Sequence, residues 1–241
     1  MPTDRFLRLA AAPAAALVTA LLAGCSSGPS NIRINDFAAI PSARVSVSLT
    51  KPTAAPAFPQ NGHAIEASYT GAKGNDKQEL ETGDDPVIFN GVTFPSPNNL
   101  RHEYRWKYGE VLYRWRKFFG GSQVFGMEAF GGVGHGILYL ASTAPSRAAS
   151  QKFNTTGLAL GVGGIWKLRP ETSLQLRLTA FGGEKEGITS ASRFDVHLVH
   201  VLASNVALRG GLTSWSVSVN RFESDVRASF YGPAVALDIN F

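Results

Sequence analysis

The sequence predicts an all-β fold, an eight-stranded antiparallel transmembrane β-barrel, on three observations. Apolar residues alternate with polar or small ones in segment after segment. The alternating segments run about 10 to 14 residues, against a mode of about 5 to 6 in soluble sheets. No window between caps holds the i, i+3, i+4, i+7 apolar pattern of an amphipathic helix. Side chains of a strand point alternately to opposite faces, so each segment has one greasy face and one polar or small face.

The elements follow in order. Strands are expected near 62–71, 101–118, 122–135, 155–168, 172–183, 191–202, 205–218 and 229–241. Leu158, Leu160, Val162, Trp166 and Leu168 share one face of the fourth. Leu174, Leu176, Leu178 and Ala180 share one face of the fifth, against Gln175, Arg177 and Thr179. Phe194, Val196 and Leu198 alternate with Asp195 and His197. Short connections near 119–121, 169–171 and 203–205 alternate with long ones at 72–100, 137–154, 184–190 and 219–228, as in barrels with short periplasmic turns and longer outside loops. Trp106 and Trp115 are nine residues apart, about 23 Å along the normal of a tilted strand, close to the ~25 Å apolar band of such barrels. Their parities differ, so a bulge at Gly109 is expected between them. The polar stretch 72–90, with Lys73, Asp76, Lys77, Glu79, Glu81, Asp84 and Asp85, reads as a mobile outward loop.

Composition bounds the rest. The chain has 241 residues, 44% hydrophobic and 17% charged, with 25 Gly and one Cys. Charge is low for a soluble domain, where about 25% is usual. A mean hydropathy of -0.02 excludes a bundle of membrane helices. One cysteine excludes a disulfide scaffold and a four-thiolate zinc site. The formal net charge is +5, without the basic, aromatic-interleaved stripe of a nucleic-acid protein. Basic residues facing anionic lipid headgroups are the better reading.

Residues 1–24 carry Arg5 and Arg8 and then the apolar run Leu9 to Leu22, the layout of a signal peptide. The run is too short to span a bilayer, which takes about 20 residues. It ends in Leu22-Ala23-Gly24-Cys25, followed by Ser26. This resembles the bacterial lipobox. The resemblance implies acylation at Cys25, cleavage before it and handling by the lipoprotein sorting machinery. Ser26 in place of Asp implies the outer membrane. Residues 25–61, punctuated by Pro41, Pro52, Pro56 and Pro59, then read as a lipid-anchored tether holding one short alternating strand near 44–49. The barrel domain is 62–241.

The chain finishes in an alternating strand, Tyr231 to Phe241. This looks like the terminal signal of bacterial outer-membrane barrels, which implies recognition of Phe241 by the barrel assembly machinery. With the strand layout, residues 62–241 resemble the OmpA and OmpX membrane domains. Lipidation departs from that family. The even strand count puts both chain ends on the periplasmic side.

Inward parity collects Glu66, Glu128, Arg177, Asp195, His197, Arg209 and Asp238. An eight-stranded barrel is just filled by side chains, so mixed charges inside read as a polar plug whose members pair. Glu128 and Arg177 are expected to pair across the fourth strand, over Gly161 and Gly163. Trp215, Val217 and Val219 share the parity of Arg209, so either a bulge lies near Thr213 or they fill the upper barrel. The expected function is surface contact, adhesion or envelope support by exposed loops, without catalysis, cofactor or metal. A rival is an enzyme acting on lipid A or phospholipid acyl chains, as palmitoyltransferase- and deacylase-type barrels do, with His102 or His135 beside Ser142 or Ser146 at the outer rim. A third reading is a soluble periplasmic β-sandwich. The remaining histidines, His63, His197 and His200, form no metal-ligand spacing. The run Phe130 to Gly136 lacks the following helix that a phosphate loop needs.

Overall fold

A computed structural model describes residues 32–51, 54–55, 57–121, 123–183, 187–221 and 224–241. The signal segment and Cys25 lie outside the described residues. Every regular element described is a strand. The first two are β1 (Ile32–Phe37) and β2 (Ser42–Ser48), followed by β3 (Gly62–Leu80). A small hairpin, β4 (Val87–Phe89) and β5 (Val92–Phe94), precedes β6 (Asn98–Phe119) and β7 (Phe125–Ala144). The rest are β8 (Arg147–Arg169), β9 (Thr172–Gly182), β10 (Gly187–Ala203), β11 (Val206–Arg221) and β12 (Ser224–Asn240).

Ten of these make one mixed sheet in the order β1-β12-β11-β10-β9-β8-β7-β6-β3-β2, and β2 pairs back onto β12 to close it. The expectation of eight antiparallel strands is therefore corrected. Residues 32–48, read as tether, add a further stave between β12 and β3. β1 lies parallel to β12 in the register Ile32↔Val226, and β2 parallel to β12 in the register Ser46↔Asn240. Between them Ala38 and Ile40 donate to the carbonyls of Tyr231 and Pro233, both at 2.9 Å, so the stave is continuous along β12. Nine staves cannot alternate direction around a closed ring. The alternation fails at β12, where the added stave is parallel. The short strand expected near 44–49 is β2, whereas 32–37 was not read as a strand, and Pro41 between the two hid their continuity.

The described residues begin and end far apart, and the chain end before Ile32 lies outside them. Ile32 meets the start of β12, while Phe241 follows its end. The two lie at opposite mouths of the sheet, termed upper (Ile32) and lower (Phe241).

The strands are also longer than expected. β6 has 22 residues and β8 has 23. The expected long loops at 72–100 and 137–154 are mostly strand. β3 pairs β6 as far as Leu80↔Asn98, and β7 pairs β8 as far as Ala144↔Arg147. The polar stretch 72–80 is thus ladder, and β4–β5 folds inward, burying Val87, Phe89 and Phe94.

β6 runs without a register shift, so the expected bulge at Gly109 is absent. Trp106 points inward at 0% exposure and Trp115 outward at 39%. β11 likewise has no shift near Thr213, and Trp215, Val217 and Val219 fill the upper interior.

Candidate functional site

The interior changes character along its length. In the lower section six arginines and five carboxylates share the lumen. Arg177 donates to Glu128 at 2.6 Å and to Glu66 at 2.7 Å. Arg116 takes the other oxygen of Glu128 at 2.8 Å. Glu66 also pairs with Arg114 and, at 3.6 Å, with Arg44. Arg44 continues to Asp238, which Arg209 meets at 3.0 Å. Beside this chain, Arg193 joins Glu110 at 2.7 Å and Asp195 at 3.0 Å. Thr213 donates to Asp195 at 2.7 Å and lies 3.2 Å from His197. All seven residues named from parity are buried.

Glycine makes the central pair possible. Glu128, Gly163 and Arg177 stand in register across three strands. A Cβ on Gly163 would sit 2.9 Å from the Glu128 side chain, so the missing side chain is the space Glu128 occupies. Arg177 also lies 4.3 Å over the Phe130 ring.

Sequence reasoning missed Arg44, Glu110, Arg114, Arg116 and Arg193. Parity could have found four of them. Glu110, Arg114 and Arg116 share the face of Trp106 on β6, and Arg193 shares that of Asp195. Counted from outward Trp115, the first three fall inward with or without a bulge at Gly109. Arg44 was hidden because its segment was read as tether.

The upper section is the reverse. Its interior is a core of Trp106, Tyr108, Trp215, Phe230, Phe89, Phe94, Phe153, Leu138 and Leu140. Tyr108 and Trp106 pack on Trp215 at ring separations of 4.9 and 5.3 Å, in edge-on contacts favoured by the ring quadrupoles. The seam between β1 and β3 is closed by side chains. Asp76 accepts from the Asn35 amide at 2.6 Å, Gln78 from the Arg33 amide at 3.3 Å, and Asp36 from the Tyr104 hydroxyl at 3.0 Å.

The outer face inverts with the inner one. Below the change the outward side chains are apolar, among them Val111, Tyr113 and Trp115 on β6, Leu158, Leu160 and Trp166 on β8, and Tyr231, Val235 and Leu237 on β12, all well exposed. An apolar groove of about 590 Å³ lies within this belt, lined by Phe125, Met127, Leu176, Leu178 and Phe194. Above the change the outward residues are polar: Arg101, Glu103, Arg105 and Lys107 on β6, Lys152 and Asn154 on β8, Ser216 and Ser218 on β11. Just past the edge Lys73 stands directly across from exposed Arg105, then Tyr139 and Lys152 follow in register. Like charges directly opposite each other on a sheet are unfavourable.

Segments of the chain lie over both mouths. β4–β5 caps the upper one. At the lower one Ala57 packs on Val199, Val201 and Ala207, and its amide donates to the Ser204 carbonyl at 2.8 Å. The lower lumen retains cavities of about 30 and 20 Å³, of water size. Phe241, the expected assembly signal, is 60% exposed at the lower rim, and its amide donates to the Ser46 carbonyl at 2.9 Å.

The candidate catalytic pair does meet. His102 Nδ1 lies 2.9 Å from Ser142 Oγ, and Gln78 Oε1 lies 3.2 Å from Nε2. Both side chains are 0% exposed, inside the upper core. A substrate carbonyl has no approach to that hydroxyl. Burial pushes the His102 pKa down to about 4 against the raising influence of Asp76, so the imidazole stays neutral. His135 instead bonds Thr156 on the outer face at 2.8 Å, and His200 bonds Thr172 at 3.0 Å. Among the described residues no cluster of three His, Cys, Asp or Glu is placed to hold a metal ion. Among the described residues no helix is long and apolar enough to cross a membrane.

Compared with protein-family models, with curated proteins and with solved structures, the chain matches none.

Proposed function

We propose that the protein is a lipid-anchored β-barrel of the bacterial outer membrane, sealed to solutes and non-catalytic, which presents its upper section for surface contact or envelope support. The observation that carries this is the paired inversion. Greasy side chains face out where charges fill the lumen, and greasy side chains face in where the outside is polar. Water on both faces would leave the apolar belt unpaid for, whereas lipid around the lower section and water around the upper one satisfy every surface. The belt has the height for it: on β8 the outward run Leu158 to Leu168 is ten residues, about 25 Å after tilt. The opposed Lys73 and Arg105 just above the belt fit the anionic headgroups of lipid.

A lumen filled with ion pairs, with chain segments over both mouths, supports a structural role over a pore. Burial of His102 and Ser142 speaks against the lipid-modifying enzyme. Purified protein should need detergent or lipid to stay dispersed, migrate differently on gels before and after heating, and give no conductance steps in a planar bilayer. A folded, monodisperse protein in detergent-free buffer would overturn the membrane assignment. Steady conductance would overturn the sealed barrel.

A further inference from the structure

We infer that the acyl anchor on Cys25 and Phe241 occupy opposite leaflets of the membrane, which places the anchor in the outer leaflet, at the cell surface. The inference rests on the lipobox and membrane readings above and adds where the lipid must go.

The argument is one of direction and reach. Ile32 is paired with Val226 at the upper end of β12, and the stave descends from there to Ser46 beside Asn240. The upper edge of the apolar belt on this stave is marked by Phe37, 64% exposed, packed edge-on against outward Tyr231 at 5.6 Å. Five residues separate Ile32 from Phe37, about 13 Å along the membrane normal at a tilt of about 40°. The lower edge of a belt of about 25 Å is then roughly 38 Å below Ile32. Seven residues separate Cys25 from Ile32, and fully extended they span at most about 25 Å. That length reaches back to the upper edge and falls short of the lower one. The stave is locked against sliding by its ladder on both sides, β12 on one and β3 on the other, from Ser42↔Thr70 to Ser48↔Ala64. A slip of one residue would turn Arg44 out of the lumen and Val45 into it.

The upper side carries the polar-faced section with the 81–97 connection, as well as a short turn at 145–146, while at the lower side the strands turn back at the belt itself, beside exposed Phe119, Phe125, Leu168 and Leu202. Outer-membrane barrels have short periplasmic turns and longer extracellular loops. The anchor therefore inserts in the leaflet that faces the medium, beside Lys73 and Arg105.

Acylation consumes the one native thiol, so a new cysteine reports its side of the membrane. Ser30→Cys, Thr82→Cys and Gly121→Cys, each in the full chain, are to be treated on intact cells with a membrane-impermeant maleimide, with metabolic acyl labelling in parallel. Ser30→Cys and Thr82→Cys should react on intact cells, and Gly121→Cys only after the outer membrane is opened. Ser30→Cys behaving like Gly121→Cys would overturn the inference. Gly121→Cys reacting on intact cells with the other two protected would keep Ser30 and Thr82 together but invert the barrel, overturning the surface placement alone. Loss of acyl label on Cys25→Ser supports the lipobox. Label that persists on that variant would remove the anchor from Cys25, and with it both the lipobox reading and the inference.

Discussion

The lower and upper sections of this molecule are built from the same strands and obey opposite rules. On β6, Val111, Tyr113 and Trp115 face out over inward Glu110, Arg114 and Arg116. A few residues higher, Arg101, Glu103 and Arg105 face out over inward Leu100, Tyr104 and Trp106. Parity never changes along the strand, because no bulge interrupts it. The chemistry assigned to each parity is what changes. On the proposed membrane placement, solvent decides the packing logic. A section surrounded by lipid gains nothing by hiding apolar side chains and can put its polar groups in the lumen. A section surrounded by water must do the reverse.

The largest test of this contrast lies in the lower lumen. Removing one partner of a buried ion pair costs about 3 to 5 kcal/mol, because the other charge is stranded. Glu128→Ala and Arg177→Ala should each lower stability by about that much, read as the urea midpoint in vesicles. The double variant should cost less than the sum of the two, because they share one interaction. Additive losses would mean the pair is not coupled.

The upper core should instead respond to acid. The pKa of His102 is depressed in the fold to about 4, from an ordinary value of 6.5. The stability of the neutral imidazole is full above pH 6.5, falls as pH drops from 6.5 toward 4, and falls no further below 4. The total loss is about 3 kcal/mol. His102→Asn should flatten the slope of the unfolding midpoint across that window, and an unchanged slope would dissociate His102 from it.

The outer faces give a smaller effect with a sharper contrast. Leu160→Arg, inside the belt but above its middle, should cost about 2 kcal/mol in vesicles, since arginine on the lipid face is penalised according to depth. Asn154→Arg, six residues up the same face, should change stability by less than about 0.5 kcal/mol. Equal penalties would erase the boundary between the sections. The smallest expected change is at the edge. Arg105→Glu would place opposite charges across from Lys73 and gain a few tenths of a kcal/mol in neutral detergent, up to about 1. In vesicles of anionic lipid the gain should vanish, because the substitution removes a headgroup contact.

Much of the lower section was legible in the residues themselves. Alternation along β7 to β12 marks their two faces, and it assigns Glu128, Arg177, Asp195, His197, Arg209 and Asp238 to the inner one. The glycine at 163 allowed an ion pair to be expected across the intervening strand. These are local facts, because period two is a property of any extended chain. The upper section was less legible. Read with the lower section's polarity, outward Lys73, Lys77 and Glu79 look like a loop, and inward Trp106 seems to require a bulge. A reversal of meaning along one strand has no local signature.

What the sequence determined by itself is the class of local structure and the parity of each strand, since both follow from side-chain geometry within a few residues. What only the tertiary structure decided is closure. Residues 32–48 announce one short strand and not a full stave, yet they complete the ring, supply Arg44 to the ion network and place Ile32 at the mouth opposite Phe241. Their pairing is specified by what they meet. The free edges of β12 and β3, Ser224–Asn240 and Gly62–Leu80, far apart in sequence, leave a gap of unpaired backbone groups, and an edge of that kind takes the strand that can satisfy it.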